Sequence, residues 1–142
     1  MKYTEPHDRV SKSQLSVSPD RLNRRAIFDF SLLTLITQLI LAFIYADNAG
    51  FFLLLSLPYL ITATLSRLDN NAVYPVTIVI TVISILTGII TGNILISLKE
   101  WIVFFGEGQS VRFLELSYMI LLTNYIGMGY YSVRKYFSKQ NV

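Results

Sequence analysis

Long apolar runs separated by short polar breaks dominate this chain. The first run, residues 26–46, reads AIFDFSLLTLITQLILAFIYA and is 21 residues long. At a rise of about 1.5 Å per residue, a helix of this length matches a hydrocarbon core of about 30 Å. Three further runs cover residues 51–68, 72–98 and 113–131. The pattern predicts an all-α integral membrane protein with four transmembrane helices in two hairpins.

A transmembrane β-barrel is the structural alternative. Its strands are segments of about ten residues in which apolar and polar positions alternate. The runs in this chain are longer and continuously apolar, and residues 72–98 contain no charged side chain. The sequence therefore favours helices over strands.

Polar tails flank the apolar runs. Residues 1–18 mix both charges and are expected to form a flexible tail, whereas residues 132–142 form a basic tail. Ser18, Pro19 and Asp20 are typical of a helix start. Serine accepts hydrogen bonds from free N–H groups, proline suits the first helical position, and an acidic residue complements the helix dipole. We expect the first membrane helix to begin there.

The longest connection within the predicted membrane domain, residues 19–131, is the segment 99–112. It contains Trp101, Phe104 and Phe105. Aromatic side chains are enriched where lipid meets water. We therefore expect this segment to be a loop that lies in the outer interface.

The basic residues indicate the orientation of the chain. Of its 12 Lys and Arg residues, six lie in residues 1–25, three in residues 132–142, and one, Arg67, at the second break. With a cytoplasmic N-terminus these all face inward, and only Lys99 and Arg112 face outward. Cytoplasmic segments of membrane proteins carry the excess of basic residues. The count predicts cytoplasmic termini in a multi-pass protein, placed in a bacterial inner membrane.

Composition supports the bilayer as solvent and narrows the chemistry. The chain is 53% hydrophobic and 15% charged, whereas an average soluble domain is about 25% charged. It has no cysteine, and its single histidine, His7, lies in the N-terminal tail. Disulfides, thiolate metal sites and a cysteine nucleophile are thereby excluded. We expect no metal, no other cofactor and no nucleic acid partner.

The third run contains small and hydroxyl residues at helical spacing. Hydrophobicity does not drive helices together within lipid, but small residues permit close backbone approach and hydroxyls form hydrogen bonds between helices. The stripe is therefore predicted to be a helix-contact face. The sequence leaves open whether it contacts other spans of this chain, a partner protein or a second copy. Its members are Thr77, Thr81, Ser84, Gly88 and Gly92.

Two amides, Gln38 in the first run and Asn124 in the fourth, are predicted near the middle of the membrane. An amide in hydrocarbon is costly unless it is hydrogen bonded. We expect both to face the interior and to bond each other or a hydroxyl of Tyr59, Ser84 or Thr87, which would fix the rotation of their helices. The amides belong to two polar stripes, Ser31, Thr34, Gln38, Ala42 and Tyr45, and Ser117, Leu121, Asn124, Gly127, Met128 and Tyr131.

Asp29 and Glu115 are carboxylates within predicted spans. Ionisable residues inside a membrane are functional candidates by default. Each nevertheless has a basic residue at helical spacing on its own helix, Arg25 for Asp29 and Arg112 for Glu115. The two carboxylates are also predicted near opposite boundaries, so we do not expect them to form one acid–base pair.

These features favour binding over catalysis. The sequence has no Ser–His–Asp set, metal-ligand cluster or nucleotide loop, so an enzyme is not expected. Its contact faces suit a small accessory subunit, assembly factor or regulator of a larger membrane complex, and immunity to a membrane-active toxin is one such role. The expected partners are the lipid bilayer and another membrane protein or further copies of this chain. A homo-oligomeric channel or small-solute transporter is the alternative.

Overall fold

The computed structural model describes residues 18–107 and 113–138. Within these two ranges the chain forms five α-helices and no strand, which confirms the all-α prediction for this part of the chain. The tail up to residue 17, the segment 108–112 and the last four residues lie outside the described ranges. The helices are α1 (Pro19–Ile44), α2 (Ala49–Arg67), α3 (Val73–Ile90), α4 (Asn93–Glu107) and α5 (Phe113–Ser138).

The first helix begins where the sequence predicts. Pro19 occupies the first turn of α1, and Ser18 Oγ accepts a hydrogen bond from the backbone N–H of Arg21 at 3.4 Å. A turn of 3-10 helix, Ala46–Asn48, follows α1 and leads into α2. The first two predicted spans are thus formed as a helical hairpin.

The third apolar run, predicted as one span over residues 72–98, forms two helices. Gly92 lies in the turn between α3 and α4 with φ at +73°. This left-handed conformation ends many helices, and glycine adopts it without steric strain. The Thr91 hydroxyl donates to the Thr87 carbonyl at 2.8 Å, which satisfies an acceptor in the last turn of α3. The run is divided because helix-ending residues, and not only apolar content, determine where a helix stops.

The segment predicted as an outer loop is helical over most of its length. Helix α4 includes Trp101 and Phe105, whose ring centroids are 5.0 Å apart. Helix α5 likewise continues beyond its predicted end, into the basic tail as far as Ser138. An interfacial position for α4 stays a prediction.

Helix α1 is central to the packing. It contacts α2 along much of its length and α5 on another side, whereas α3 packs mainly on α5. Helices α2 and α3 make few contacts with each other. The main core therefore lies between α1, α2 and α5, and its buried members are Leu41, Ala42, Phe52, Tyr59, Leu121, Tyr125 and Met128.

Three segments in the described ranges are long and apolar enough to cross a membrane, namely Pro19–Ile44, Ala46–Arg67 and Val73–Ile90. They agree with the prediction of a membrane protein. Helix α5, predicted as the fourth span, has 26 residues but is not among the three. Glu115, Asn124 and several tyrosines lower its mean hydropathy.

Candidate functional site

The polar stripes of α1 and α5 face the interior of the bundle. Ser31 Oγ illustrates their contacts, since it lies 2.8 Å from Thr62 Oγ1 of α2 and 3.2 Å from Met128 Sδ of α5. One hydroxyl thus connects three helices. The buried members of the stripes are Ser31, Thr34, Gln38 and Ala42 on α1, and Ser117, Leu121, Asn124 and Met128 on α5.

The stripe on α3 is covered by other helices of the same chain. Ser84 Oγ lies 2.7 Å from the Tyr59 hydroxyl of α2. The Tyr118 hydroxyl of α5 occupies the space that a Cβ on Gly88 would need. Together with the buried Thr77 and Thr81, these contacts favour packing within the chain over contact with a partner.

Gly92, the last predicted member of this stripe, has a different environment. It lies after the end of α3, and no atom is within 4 Å of where its Cβ would be. Its positive φ accounts for the glycine. The sequence pattern did not separate a glycine needed for close packing from one needed for a turn.

Gln38 and Asn124 both point inward and are 2% exposed. Within the described residues no hydrogen bond joins them, and Gln38 Oε1 and Asn124 Nδ2 are buried without a hydrogen-bond partner. Tyr59, a predicted partner, is bonded to Ser84 instead. Gln38 lines the cavity described below, and Asn124 does not. The two amides therefore lie in different environments.

The carboxylates also lie apart in the fold. Asp29 is exposed on α1, and in the described part of the chain it forms no ion pair with Arg25. Glu115 is buried, lines the same cavity as Gln38 and is engaged in a polar contact. Its predicted partner, Arg112, lies outside the described residues.

A polar cluster joins three helices at the end of the bundle where α1 begins, called the inner end from here on. Asp20 of α1 accepts from Lys135 Nζ of α5 at 2.8 Å and from the Tyr74 hydroxyl of α3 at 3.1 Å. Arg24 of α1 pairs with Asp69, in the turn after α2, at 3.1 Å. Sequence reasoning assigned Lys135 to the tail, because a contact across 115 positions leaves no local pattern.

A cavity of about 580 Å³ lies in the opposite, outer half of the bundle. It is bounded by the first half of α2, the last half of α3, the start of α4 and the first half of α5, with α1 at its back. The rings of Tyr59 and Tyr125 stack in its wall, with centroids 5.5 Å apart and 9° between their planes. The cavity is called the outer cavity below.

Sequence reasoning did not single out Tyr118 and Tyr125, which line the outer cavity. Tyrosines in membrane helices usually anchor the ends of a span in the interface. Tyr125 lies near the middle of the predicted fourth span, and a tyrosine at that depth is the sequence feature that could have identified it.

The fold and these sites define a helical protein with three segments apolar and long enough to span a membrane, hydroxyl-rich internal contacts and a cavity in one half of the bundle. Within residues 18–107 and 113–138, no group of three or more His, Asp or Glu side chains is arranged to hold a metal ion. The chain matches no protein family, no curated protein and no solved structure.

Proposed function

We propose that this chain is a non-catalytic multi-pass protein of a bacterial inner membrane. It acts as an accessory subunit, assembly factor or regulator of a larger membrane complex, and immunity to a membrane-active toxin is one form of this role. Helices α1, α2, α3 and α5 cross the membrane, both termini are cytoplasmic, and α4 lies at the outer surface.

The inner polar cluster supports four crossings. Asp20 near the start of α1 and Lys135 near the end of α5 are 2.8 Å apart, so these two ends lie on one side. A chain that starts and finishes on the same side crosses an even number of times. Three helical segments are already long and apolar enough to cross, which leaves α5 as the fourth.

The exposed face of α1 supports contact with a partner. Exposed residues recur every three or four positions along this helix, as expected for a face that neither α2 nor α5 covers. Beyond Asp29, toward the outer end, all of them are apolar. Along the line of this spacing they are Leu22, Arg25, Asp29, Leu33, Ile36, Ile40 and Phe43, and Leu32, Leu39 and Ile44 are exposed beside them.

Asp29 is the single observation that carries the proposal. A carboxylate within a membrane span is costly, and such residues usually pair with an opposite charge. A partner helix with a Lys or Arg near the inner boundary would pair with Asp29, and its apolar residues would pack on the rest of the face. The partner is therefore a membrane helix with a basic residue at that depth.

Replacing Asp29 by asparagine tests this contact. We expect the amount of partner that co-purifies from gently solubilised host membranes to fall at least about tenfold, because truncating one member of a desolvated charge pair costs about 2–5 kcal/mol. Asp47→Asn is the matched control. Asp47 is exposed in the turn between α1 and α2, so its replacement should leave the partner's yield unchanged.

Charge exchange separates specific pairing from a folding defect. Asp29→Lys should abolish co-purification. Cross-linking locates the basic residue of the partner that contacts position 29, and replacing that residue by aspartate should restore co-purification with Asp29→Lys. An unchanged yield with Asp29→Asn would contradict the proposed contact. Recovery of only copies of this chain, which conduct ions in liposomes, would favour the channel or transporter instead.

A further inference from the structure

The outer cavity has the size and shape of a ligand site. Its volume of about 580 Å³ falls within the range of about 300–1,000 Å³ that is usual for small-molecule sites. Its polar lining residues include Tyr59 and Ser84, within α2 and α3, and Asn93 and Ser97, in the first turns of α4. Along α3, the distance from Ser84 to Thr91 is about 10 Å. The lining therefore extends over about 10 Å of α3, and it is mostly apolar with several polar side chains.

The Gln38 amide offers a hydrogen bond within the outer cavity. Its side chain is 2% exposed and lines the cavity, and Oε1 has no hydrogen-bond partner among the described residues. Tyr59 and Ser84 are bonded to each other at 2.7 Å. A buried acceptor without a partner is costly, so a ligand that supplies a donor is favoured. A ligand hydroxyl donates to Gln38 Oε1, because the rest of this side-chain amide already interacts with the Tyr125 hydroxyl.

The charge of the lining indicates an uncharged ligand. The described residues around the outer cavity include no Lys or Arg. Glu115 is the one charged residue among them, and it is already engaged in a polar contact. Transfer of an unpaired charge into an apolar site is far more costly than transfer of a hydroxyl that finds a hydrogen bond.

The outer cavity is open toward the gap between α2 and α3. These helices make few contacts with each other. Phe51 and Leu55 on α2 and Ile83 on α3 line the cavity and are 59%, 41% and 58% exposed. An opening between apolar membrane helices faces hydrocarbon, so a ligand reaches this cavity from the bilayer.

We propose that the outer cavity binds an uncharged amphiphile with a long hydrocarbon body and a hydroxyl group. The molecule enters between α2 and α3 and places its hydroxyl against Gln38. Its source is a neutral membrane lipid or a lipid-soluble metabolite of the same chemistry. This site is separate from the proposed partner contact, because Asp29 does not line the cavity.

Photolabelling of the full chain in nanodiscs of synthetic phosphatidylcholine tests the site. The probe is a long-chain alcohol with a diazirine in its chain, and the corresponding alkane is the matched probe without a hydroxyl. We expect the alcohol to label peptides that line the cavity. Thr87→Trp, at an exposed position in the lining, should reduce this labelling at least about tenfold by filling the opening.

Val82→Trp is the matched control variant. Val82 is 49% exposed on the same helix and does not line the cavity, so labelling should be unchanged. Equal labelling of Thr87→Trp and the unmodified chain would overturn the proposal. Asp29→Asn should leave labelling intact, so that failure of the partner contact and failure of the cavity site are distinguishable.

The role of Gln38 has its own readout. Gln38→Leu should reduce the preference for the alcohol over the alkane by about three- to tenfold, the effect of one lost hydrogen bond. Labelling by the alkane should persist, which shows that the cavity still forms. An unchanged preference would overturn the assignment of the hydroxyl to Gln38.

Competition distinguishes the two sources of ligand. Displacement of the photoreactive alcohol by unlabelled diacylglycerol supports a neutral membrane lipid. Displacement by a free long-chain alcohol but not by diacylglycerol supports a lipid-soluble metabolite. Displacement by neither would show that labelling is not site-specific and would overturn the proposal.

Discussion

Gly127 of α5 is a residue at which one added methyl group should destabilise the fold. A Cβ at this position would lie 2.7–3.0 Å from three ring atoms of Phe30 on α1. The same ring packs against Tyr131, with centroids 6.1 Å apart, which restricts its movement. We expect Gly127→Ala to lower the free energy of unfolding by about 1–3 kcal/mol, the usual cost of overpacking. Chemical denaturation in detergent micelles measures it.

Gly106→Ala is the matched control for this substitution. Gly106 is also helical, and no atom lies within 4 Å of where its Cβ would be. Its replacement should be neutral or slightly stabilising, because alanine suits a helix better than glycine. A smaller side chain at position 30, as in Phe30→Leu, should recover part of the stability lost in Gly127→Ala. Equal stability of the two alanine variants would contradict the packing argument.

Sequence patterns predicted which faces of single helices would be buried, but not what would cover them. The burial of Ser31 and Gln38 could be predicted from helical spacing and hydropathy, since polar residues avoid lipid. The Tyr118 hydroxyl over Gly88 depends on the relative height of α3 and α5, and no spacing along one helix contains that information. The unpaired Gln38 acceptor has the same origin, because its predicted partners Tyr59 and Ser84 lie on two other helices and are bonded to each other.

At the scale of helices, the boundary between α3 and α4 depends on Gly92. Its φ of +73° is accessible to alanine only with strain, at a cost of about 1–2 kcal/mol. We expect Gly92→Ala to lower the free energy of unfolding by about this amount, as measured by denaturation in micelles. Gly92→Asn should cost less, because asparagine tolerates the left-handed conformation better than other residues with a side chain.

Gly50→Ala provides the comparison for the Gly92 variants. Gly50 lies near the start of α2, has no positive φ and has no atom within 4 Å of where its Cβ would be. Its replacement should be neutral or stabilising by about 0.4–1 kcal/mol, because it restricts only the unfolded chain. Full stability of Gly92→Ala would show that the positive φ is not required.

Among the helices of the described ranges, apolar runs located α1, α2 and α5, with both ends of α2 within two residues, and the error at α3 has a physical cause. Hydropathy reports burial in lipid, whereas the end of a helix depends on capping and on residues with positive φ. One helix ends and the next begins at Thr91, Gly92 and Asn93, and these end and start signals were present in the sequence. The continuation of the chain as α4 was missed because the interfacial aromatic residues were read as a loop.

For the whole molecule, the number of crossings depends on two observations that point to different answers. Three segments are long and apolar enough to span, and a three-span chain ends on the side opposite to its start. The contact of Lys135 with Asp20 at 2.8 Å places the start of α1 and the end of α5 at the same end of the bundle, as four crossings would require. Apolar content is a property of each helix on its own, whereas the contact between Lys135 and Asp20 depends on how the helices pack together.

Single-cysteine labelling decides between these topologies, and the natural absence of cysteine leaves no background. We expect cysteine at Asn48 and at Gly106 to react with a membrane-impermeant maleimide in intact bacteria. Cysteine at Asn70 and at Tyr136 should react only in inverted vesicles. Tyr136 is the decisive position, because Asn70 lies inside in both topologies. Labelling of Tyr136→Cys in intact cells would exclude four crossings and would require the inner polar cluster to be broken in the membrane.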